Sequence, residues 1–492
     1  MGPSPSTPPL AADQAAGNAH QSSTSGDRRT GERAPATAPP RLHRVRQGLD
    51  LPLPGTAPTR WGDPVPVERV AVLAEDYAGM RPRMRVREGD RVRRGTPLFE
   101  DRKNVGVLFT SPGGGVVAGI HRGEKRALLA VVIELDAREE DETFPSYTGK
   151  PPGELSAEQV EALMLESGMW PALRTRPFSR SPLPGTAPCS IFVTAVDTYP
   201  LAPDPAAVIA GREGDFRAGL EALVALGDGC PIHLCRAPGA RVSGADVRGV
   251  EVHEFAGPHP AGTVGVHISM VDPVGANRTV WHIGYQDALA LGALFLTGRL
   301  SVERVVSVAG PRVADPALLR TRQGAEIAPL VARRLVEGGE TRVISGSCLF
   351  GRQVEGATGH LGRFHSQVTA IAEERRRVFL GWLGPGGDKY SIMPLFLSRL
   401  TKRGRPMPLT SSTHGSRRAI VPFGVFEKVM PIHEHPTFLL RALLSRDLAS
   451  CRALGVLELD PEDLALCTFA CPGKNDYGPA LRDVLDTIEK EG

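Results

Sequence analysis

The chain reads as a multidomain protein of mixed class, in which an α/β part is joined to β-rich and helical parts. Three observations predict this. Its 492 residues exceed the ~100–200 of a single domain, so three or four domains are expected. Its 55 glycines and 44 prolines favour turns and β-structure over helical bundles. The hydrophobic pattern also changes along the chain: glycine-turned strands over residues 41–137, strand–helix alternation over 138–298, a small α+β module over 299–353 and helical spacing over 354–492.

Residues 1–40 are rich in Pro, Ser, Thr and Ala, with Met1 and Leu10 as their only large apolar side chains. Such a segment buries too little surface to offset chain entropy, and a disordered tail is expected. Asp13, Asp27 and Glu32 offset Arg28, Arg29 and Arg33, which argues against a transit peptide.

In residues 41–137, REGDRVRRGTPLFED (87–101) and TSPGGGVVAGIHRGEKR (110–126) are strand–turn–strand units. Their spacing is that of a barrel-sandwich, or lipoyl-like, domain. In carrier domains of that type the modified lysine sits at a hairpin tip, where this chain has Glu100-Asp101-Arg102-Lys103. A carrier role for Lys103 competes with a solvated hairpin tip. Just upstream, Arg81, Arg83, Arg85 and Arg87 recur at period two, so a strand here puts all four on one face. That face is either merely solvated or, together with Arg102 and Lys103, a docking surface for an acidic partner or anionic headgroups. Nucleic acid is not expected, because no aromatic residues interleave with the arginines, and the net charge is only +3.

In residues 138–298, Ser156 and Gln159 form a capping box that opens a helix. CSIFVTAV (189–196) is a buried strand, EGDFRAGLEALVALG (213–227) an amphipathic helix, and CPIHLCR (230–236) and VRGVEVHEF (247–255) further strands. The alternation implies a parallel sheet with both faces covered. The next module has strands at ERVVSVAG and TRVISGS around a helix in APLVARRLVEGG. FLSRLTKRG (396–404), FGVFEKVM (423–430), HPTFLLRALLSRDLASCRALG (435–455) and PALRDVLDTIEKEG (479–492) make the end mainly helical.

Chemical motifs are few. No G-x-G-x-x-G follows a strand in the α/β part, and no phosphate-binding P-loop occurs. The seven cysteines are odd in number and include no C-x-x-C, so reduced thiols are expected and no iron–sulfur cluster. Cys230/Cys235 and Cys467/Cys471 read as free thiols rather than metal ligands. His433 and His435 around Glu434 invite a metal reading, but exposed loops carry such pairs readily; no metal is expected. His282 reads as a satisfied polar residue packed against Trp281 and Tyr285. No apolar run approaches the ~20 residues of a membrane span.

NRTVWHIGYQDALALGALF (277–295) runs from a polar, aromatic segment straight into a small-residue apolar helix. With RQGLDLPLPG (46–55), TSPGGGVV (110–117), RPFSRSPLPGTAPCSIFVTAVDTYPLA (176–202), GHLGRFHSQVT (359–369) and DLALCTFACPGK (463–474), it resembles the A subunit of the sodium-translocating NADH:quinone oxidoreductases, over about residues 44–492. The resemblance implies a barrel-sandwich domain, a Rossmann-like α/β domain, an SLBB-like (ubiquitin-like) α+β module and a helical C-terminal domain. It implies a peripheral subunit on the cytoplasmic face of the bacterial inner membrane, in a six-subunit complex that passes electrons from NADH to ubiquinone or another quinone and exports Na⁺. FAD, FMN and iron–sulfur chemistry then belong to other subunits, this chain carries no cofactor and is inactive alone, and its chief partner is the integral membrane B subunit.

The α/β part also resembles the flavin-binding subunit of respiratory complex I and the Rnf C subunit. There a glycine-rich loop lets backbone approach FMN; here Trp170, Leu173 and Phe178 stand in the equivalent stretch, 168–178, which implies a lost flavin. The alternatives are a carrier protein using Lys103 and a stand-alone flavin reductase.

Overall fold

The structure is a computed structural model that describes residues 39–491 other than 56, 376–382, 388, 394, 402–404, 408, 433 and 434. The tail expected over residues 1–40 therefore falls almost wholly outside the described residues, as do His433 and Glu434 of the PIHEHP motif.

The α/β domain is built on a six-stranded sheet in the order Arg41–Arg44, Val250–Ala256, Ile232–Arg236, Ile191–Ala195, Val280–Gly284, Arg174–Arg176. The first five are parallel and the last is antiparallel to its neighbour. Ile191, Phe192 and Val193 have no exposed surface, as expected of a central parallel strand covered on both faces. The capping box forms as read: Ser156 Oγ accepts from the Gln159 amide, and Gln159 Oε1 accepts from the Ser156 amide at 3.0 Å.

Residues 41–44, read with the barrel-sandwich segment, instead extend this sheet as its edge strand beside Val250–Ala256. The segment has four residues and is mostly exposed, so its periodicity carries no sign of which sheet it joins.

Helices Glu213–Gly227 and Tyr285–Thr297 cover one sheet face and touch backbone to backbone. A Cβ on Gly219 would lie 2.1 Å from the Ala288 carbonyl oxygen, and one on Gly292 would lie 1.8 Å from that of Asp215. This is the physical role of the small residues in the apolar helix of the 277–295 signature. Gly292→Val is therefore expected to wedge the helices apart and lower the melting temperature by about 5–10 °C, or to leave no soluble protein. An unchanged thermal melt would show that the helices part freely.

The barrel-sandwich consists of a four-stranded sheet, Arg69–Leu73, Leu128–Leu135, Gly115–Arg122 and Arg91–Val92, and a three-stranded sheet, Pro82–Met84, Pro97–Asp101 and Leu108–Thr110. Gly115 is required where those strands meet, since a Cβ there would lie 1.9 Å from the Glu134 carbonyl oxygen.

The small module has a five-stranded sheet in the order Ala317–Arg322, Glu303–Ala309, Gln367–Ala372, Thr341–Gly346, Gly351–Gln353. Its third member lies beyond residue 353, inside the stretch read as helical. Gln367–Ala372 is a central strand inserted between two others and buried along nearly its whole length. The module therefore ends near residue 372 rather than 353. The helix in APLVARRLVEGG is also shorter than read, at Ile327–Val331. The C-terminal domain packs Pro436–Ser445, Ala465–Ala470 and Gly478–Glu491 around Phe426, Leu440, Tyr477 and Leu481. No helix among the described residues is long and apolar enough to cross a membrane.

Candidate functional site

In an open parallel sheet, ligands bind outside the carboxyl ends of the strands where strand order reverses. Here the order reverses between Ile191–Ala195 and Val280–Gly284. The chain leaves the first strand through Asp197-Thr198-Tyr199 and the second through Tyr285-Gln286-Asp287. Asp197 accepts from the Tyr199 amide at 2.9 Å and from the Ser366 hydroxyl of the small module at 3.2 Å. Burial nevertheless pushes its carboxyl up to about 6.

The Tyr199 ring rests on His259 with centroids 4.5 Å apart, and His259 Nδ1 lies 3.2 Å from Thr198 Oγ1. Burial holds His259 down at about 3, so it is neutral. The Tyr199 hydroxyl has no protein partner among the described residues, and it feels the charges of Glu462, Asp197, Asp463 and Arg174. His282 departs from the expectation of a satisfied residue: it is buried as expected, but its Nε2 finds no protein partner among the described residues. Burial and the guanidinium groups of Arg174 and Arg176 push it well below the usual imidazole range. His282 sits opposite Arg174 in the antiparallel pairing, a position that local sequence does not reveal.

The stretch equivalent to a flavin loop is filled by its own side chains. Trp170 and Leu173 are fully buried. The Trp170 indole packs edge-on against Trp281 at 5.6 Å and donates from Nε1 to the Pro182 carbonyl at 2.8 Å. Phe178 packs against the C-terminal core. Two clefts of about 410 and 610 Å³ lie elsewhere, the first beside Arg94, Glu303 and Arg322 and the second beside Glu139, Tyr147 and Arg299.

The C-terminal domain clamps the same stretch electrostatically. Arg176 is fully buried and donates to Asp463 at 2.8 Å, Glu462 at 3.0 Å and the Glu458 carbonyl at 3.1 Å. Arg180 reaches Asp486 at 2.8 Å and Glu489 at 2.5 Å. Arg482 pairs with Asp460 and donates to the Phe178 carbonyl at 2.8 Å. Burial pushes Glu462 up to about 7, against the pull of Arg174 and Arg176. Sequence reasoning missed this set, because its two halves lie about 280 to 310 residues apart along the chain.

Tyr285-Gln286-Asp287 fastens the α/β domain to the small module. The Gln286 side-chain amide both donates to and accepts from the Val305 backbone, each at 2.8 Å. Asp287 is buried between Arg304 and Arg363. The signature thus carries domain docking, and no nucleophile or proton relay is evident in it.

The arginine face has the predicted alternation. Arg81, Arg83, Arg85 and Arg87 are exposed, Pro82 and Met84 are partly buried and Val86 is buried. Only Pro82–Met84 is strand, however, and Arg85 is paired with Glu100 at 2.8 Å. Arg102 and Lys103 are exposed on the turn between Pro97–Asp101 and Leu108–Thr110. That turn is tied down. Asp101 accepts from the Arg81 and Lys103 amides at 3.0 Å each, and Asn104 donates to the Ser181 carbonyl at 3.3 Å. The backbone of the turn is thus fixed, while the Lys103 side chain itself is exposed.

Cys467 and Cys471 are buried, the latter 3.1 Å from the Tyr477 hydroxyl, and Cys235 is buried as read. Cys230 lies ahead of its strand and is only partly buried.

Three family models match this chain: the NqrA N-terminal barrel-sandwich hybrid domain over residues 43–136, the NqrA second alpha/beta domain over 155–300 and the NQRA C-terminal domain over 305–356. The chain is 51% identical over 450 residues to the A subunit of the Na(+)-translocating NADH-quinone reductase of Serratia proteamaculans, a match covering 91% of this chain and all of that one. It is 49% identical over 449 residues to the proteins of the same name from Yersinia pseudotuberculosis and Neisseria meningitidis serogroup A, with the same coverage. Among solved structures, an NAD+-reducing [NiFe]-hydrogenase in the H2-reduced state aligns over 46% of this chain and 49% of its own, at 14% identity and a TM-score of 0.34.

Proposed function

The chain belongs to the A-subunit family of the Na(+)-translocating NADH-quinone reductases, and from that membership we propose that it is the peripheral A subunit of such a complex, on the cytoplasmic face of the inner membrane. In this reading it supports electron transfer from NADH to quinone coupled to Na⁺ export. It docks on the integral membrane B subunit and contributes to the quinone site or its assembly. The observation that carries the reading is identity near one half along the full length of the relatives.

The local physics is in keeping with a scaffold that carries no flavin. Trp170 and Leu173 occupy the loop region where bare backbone would have to meet a flavin, and acidic groups of the C-terminal domain surround it.

The docking surface we assign is the exposed arginine face, Arg81, Arg83, Arg85 and Arg87, with Arg102 and Lys103. Reversing Arg83, Arg85 and Arg87 to Glu is expected to weaken copurification with the other subunits. What remains should become more salt-sensitive, because exposed charges are screened within ~8–10 Å at physiological salt. The check is subunit stoichiometry and Na⁺-stimulated NADH:quinone reduction across a salt series. Normal stoichiometry and activity at every salt concentration would reduce this face to a solvated surface.

A further inference from the structure

At the other edge of the six-stranded sheet, three histidines and a glutamate meet, far in sequence from the arginine face. In the parallel pairing of Ile232–Arg236 with Val250–Ala256, His233 lies opposite Glu251 and Cys235 opposite His253. Residues 233, 251 and 253 therefore project from one face. His233 Nδ1 and His253 Nε2 are 3.1 Å apart, and Glu251 Oε2 lies 3.7 Å from the first and 3.8 Å from the second. The two carboxylate distances are too long for hydrogen bonds. They are, however, the lengths expected between neighbouring ligands of one small cation. An ion held equally by the three donor atoms lies about 2.1 Å from each in their plane and about 2.2 Å from each when displaced toward a fourth ligand, at the long end of the bonds zinc makes to imidazole nitrogen and carboxylate oxygen.

From this geometry we propose that His233, His253 and Glu251 form a site for a divalent transition-metal ion, zinc by donor set and bond length. Two imidazoles and one carboxylate leave a fourth, tetrahedral position for water. The neighbouring residues complete the arrangement. His253 Nδ1 lies 3.0 Å from His43 Nε2, so a metal-bound His253 donates its remaining N–H to His43, the outer-shell bond that fixes a ligand's tautomer. The Phe192 ring packs against His233 at 4.8 Å and the Phe255 ring stacks on His43 at 4.7 Å, which supplies an apolar wall. His233 and His253 are buried, whereas Glu251 is half exposed, so the carboxylate stands at the mouth through which an ion enters.

In the metal-free protein, one nitrogen of the His233–His253 contact carries the shared hydrogen. On binding, that ring moves its proton to its other nitrogen. Arg41 opposes a cation here, and Glu251 and Asp272 offset it. A bound ion would pin the strand containing His43 to the sheet, so the site joins the segment at residues 41–44 to the α/β core.

The test uses the full chain, stripped with a chelator and titrated with Zn²⁺ against a chromophoric competitor. Co²⁺ serves as a spectroscopic probe of tetrahedral geometry. One ion per chain is expected, with tetrahedral Co²⁺ bands and a melting temperature that rises with free Zn²⁺. His253→Ala should abolish the site, Glu251→Gln should weaken it by about tenfold or more, and His43→Ala by about 10- to 100-fold. Cys348→Ser should leave it unchanged. Should His253→Ala fail to fold, Glu251→Gln at its exposed position decides alone. The proposal is overturned by the absence of a stoichiometric site, or by one whose affinity survives Glu251→Gln. Neither result bears on the docking reading, which concerns a different domain.

Discussion

Arg176→Met is expected to destabilise the chain by about 3–5 kcal/mol, because it leaves buried carboxylates without their partner. Arg176 is fully buried, and it bridges Asp463, Glu462 and the Glu458 carbonyl. Its loss should also have a distinctive pH dependence. Glu462 stands near 7 in the folded chain, above its ordinary 4.5, so the folded state holds that proton more tightly than the unfolded state does. The stability linked to it is complete below about 4.5 and is lost as pH rises through about 7. Without Arg176 the neighbouring carboxyls are pushed further up, so the variant should lie closest to the parent near pH ~5 and furthest from it near pH ~8. Unfolding at both pH values checks this, and an equal penalty at each would mean that these acids do not sense Arg176. Adding Glu462→Gln should recover part of the loss at the higher pH and little at the lower, since residues sharing one network do not behave additively.

None of this arginine–carboxylate set was legible in the sequence. Order and type of the domains were legible because they rest on local patterns: glycine turns in 87–126, the Ser156 capping box, the apolar run at 191–195 and the helix at 213–227. What escaped was pairing over distance. Residues 41–44 join a strand about 210 positions away, and Gln367–Ala372 enters a sheet whose other members precede it. The same holds for function. The alternating arginines were visible as a strand face, but the partnership of Arg85 with Glu100 and the tether of Asn104 to Ser181 appear only in three dimensions. The 277–295 signature stood out as unusual, yet its meaning is geometric. Gly292 admits a neighbouring helix and Gln286 completes a foreign backbone. Histidines 43, 233 and 253 carry no recognisable spacing, because strand register and not sequence interval brings them together.

Asp287→Asn should separate the α/β domain from the small module. Asp287 is a carboxylate shared by Arg304 and Arg363, and all three side chains are buried. Burial pushes Arg304 down to about 10, so it is held charged by Asp287 against a real desolvation penalty. Asparagine keeps the shape but leaves two buried guanidinium groups facing each other, at a cost of about 3–5 kcal/mol. The seam that gives way should be the one Asp287 spans, so limited proteolysis is expected to cut the 298–302 connection faster in the variant while the C-terminal core stays protected. Replacing all three residues by leucine should restore much of the lost stability, because an apolar triad of similar volume has no charges to desolvate. If Asp287→Asn melts and digests like the parent, the two arginines are held charged by other groups, such as Asp76, whose charge acts on Arg363, and the domain seam rests on Gln286 and apolar contact instead.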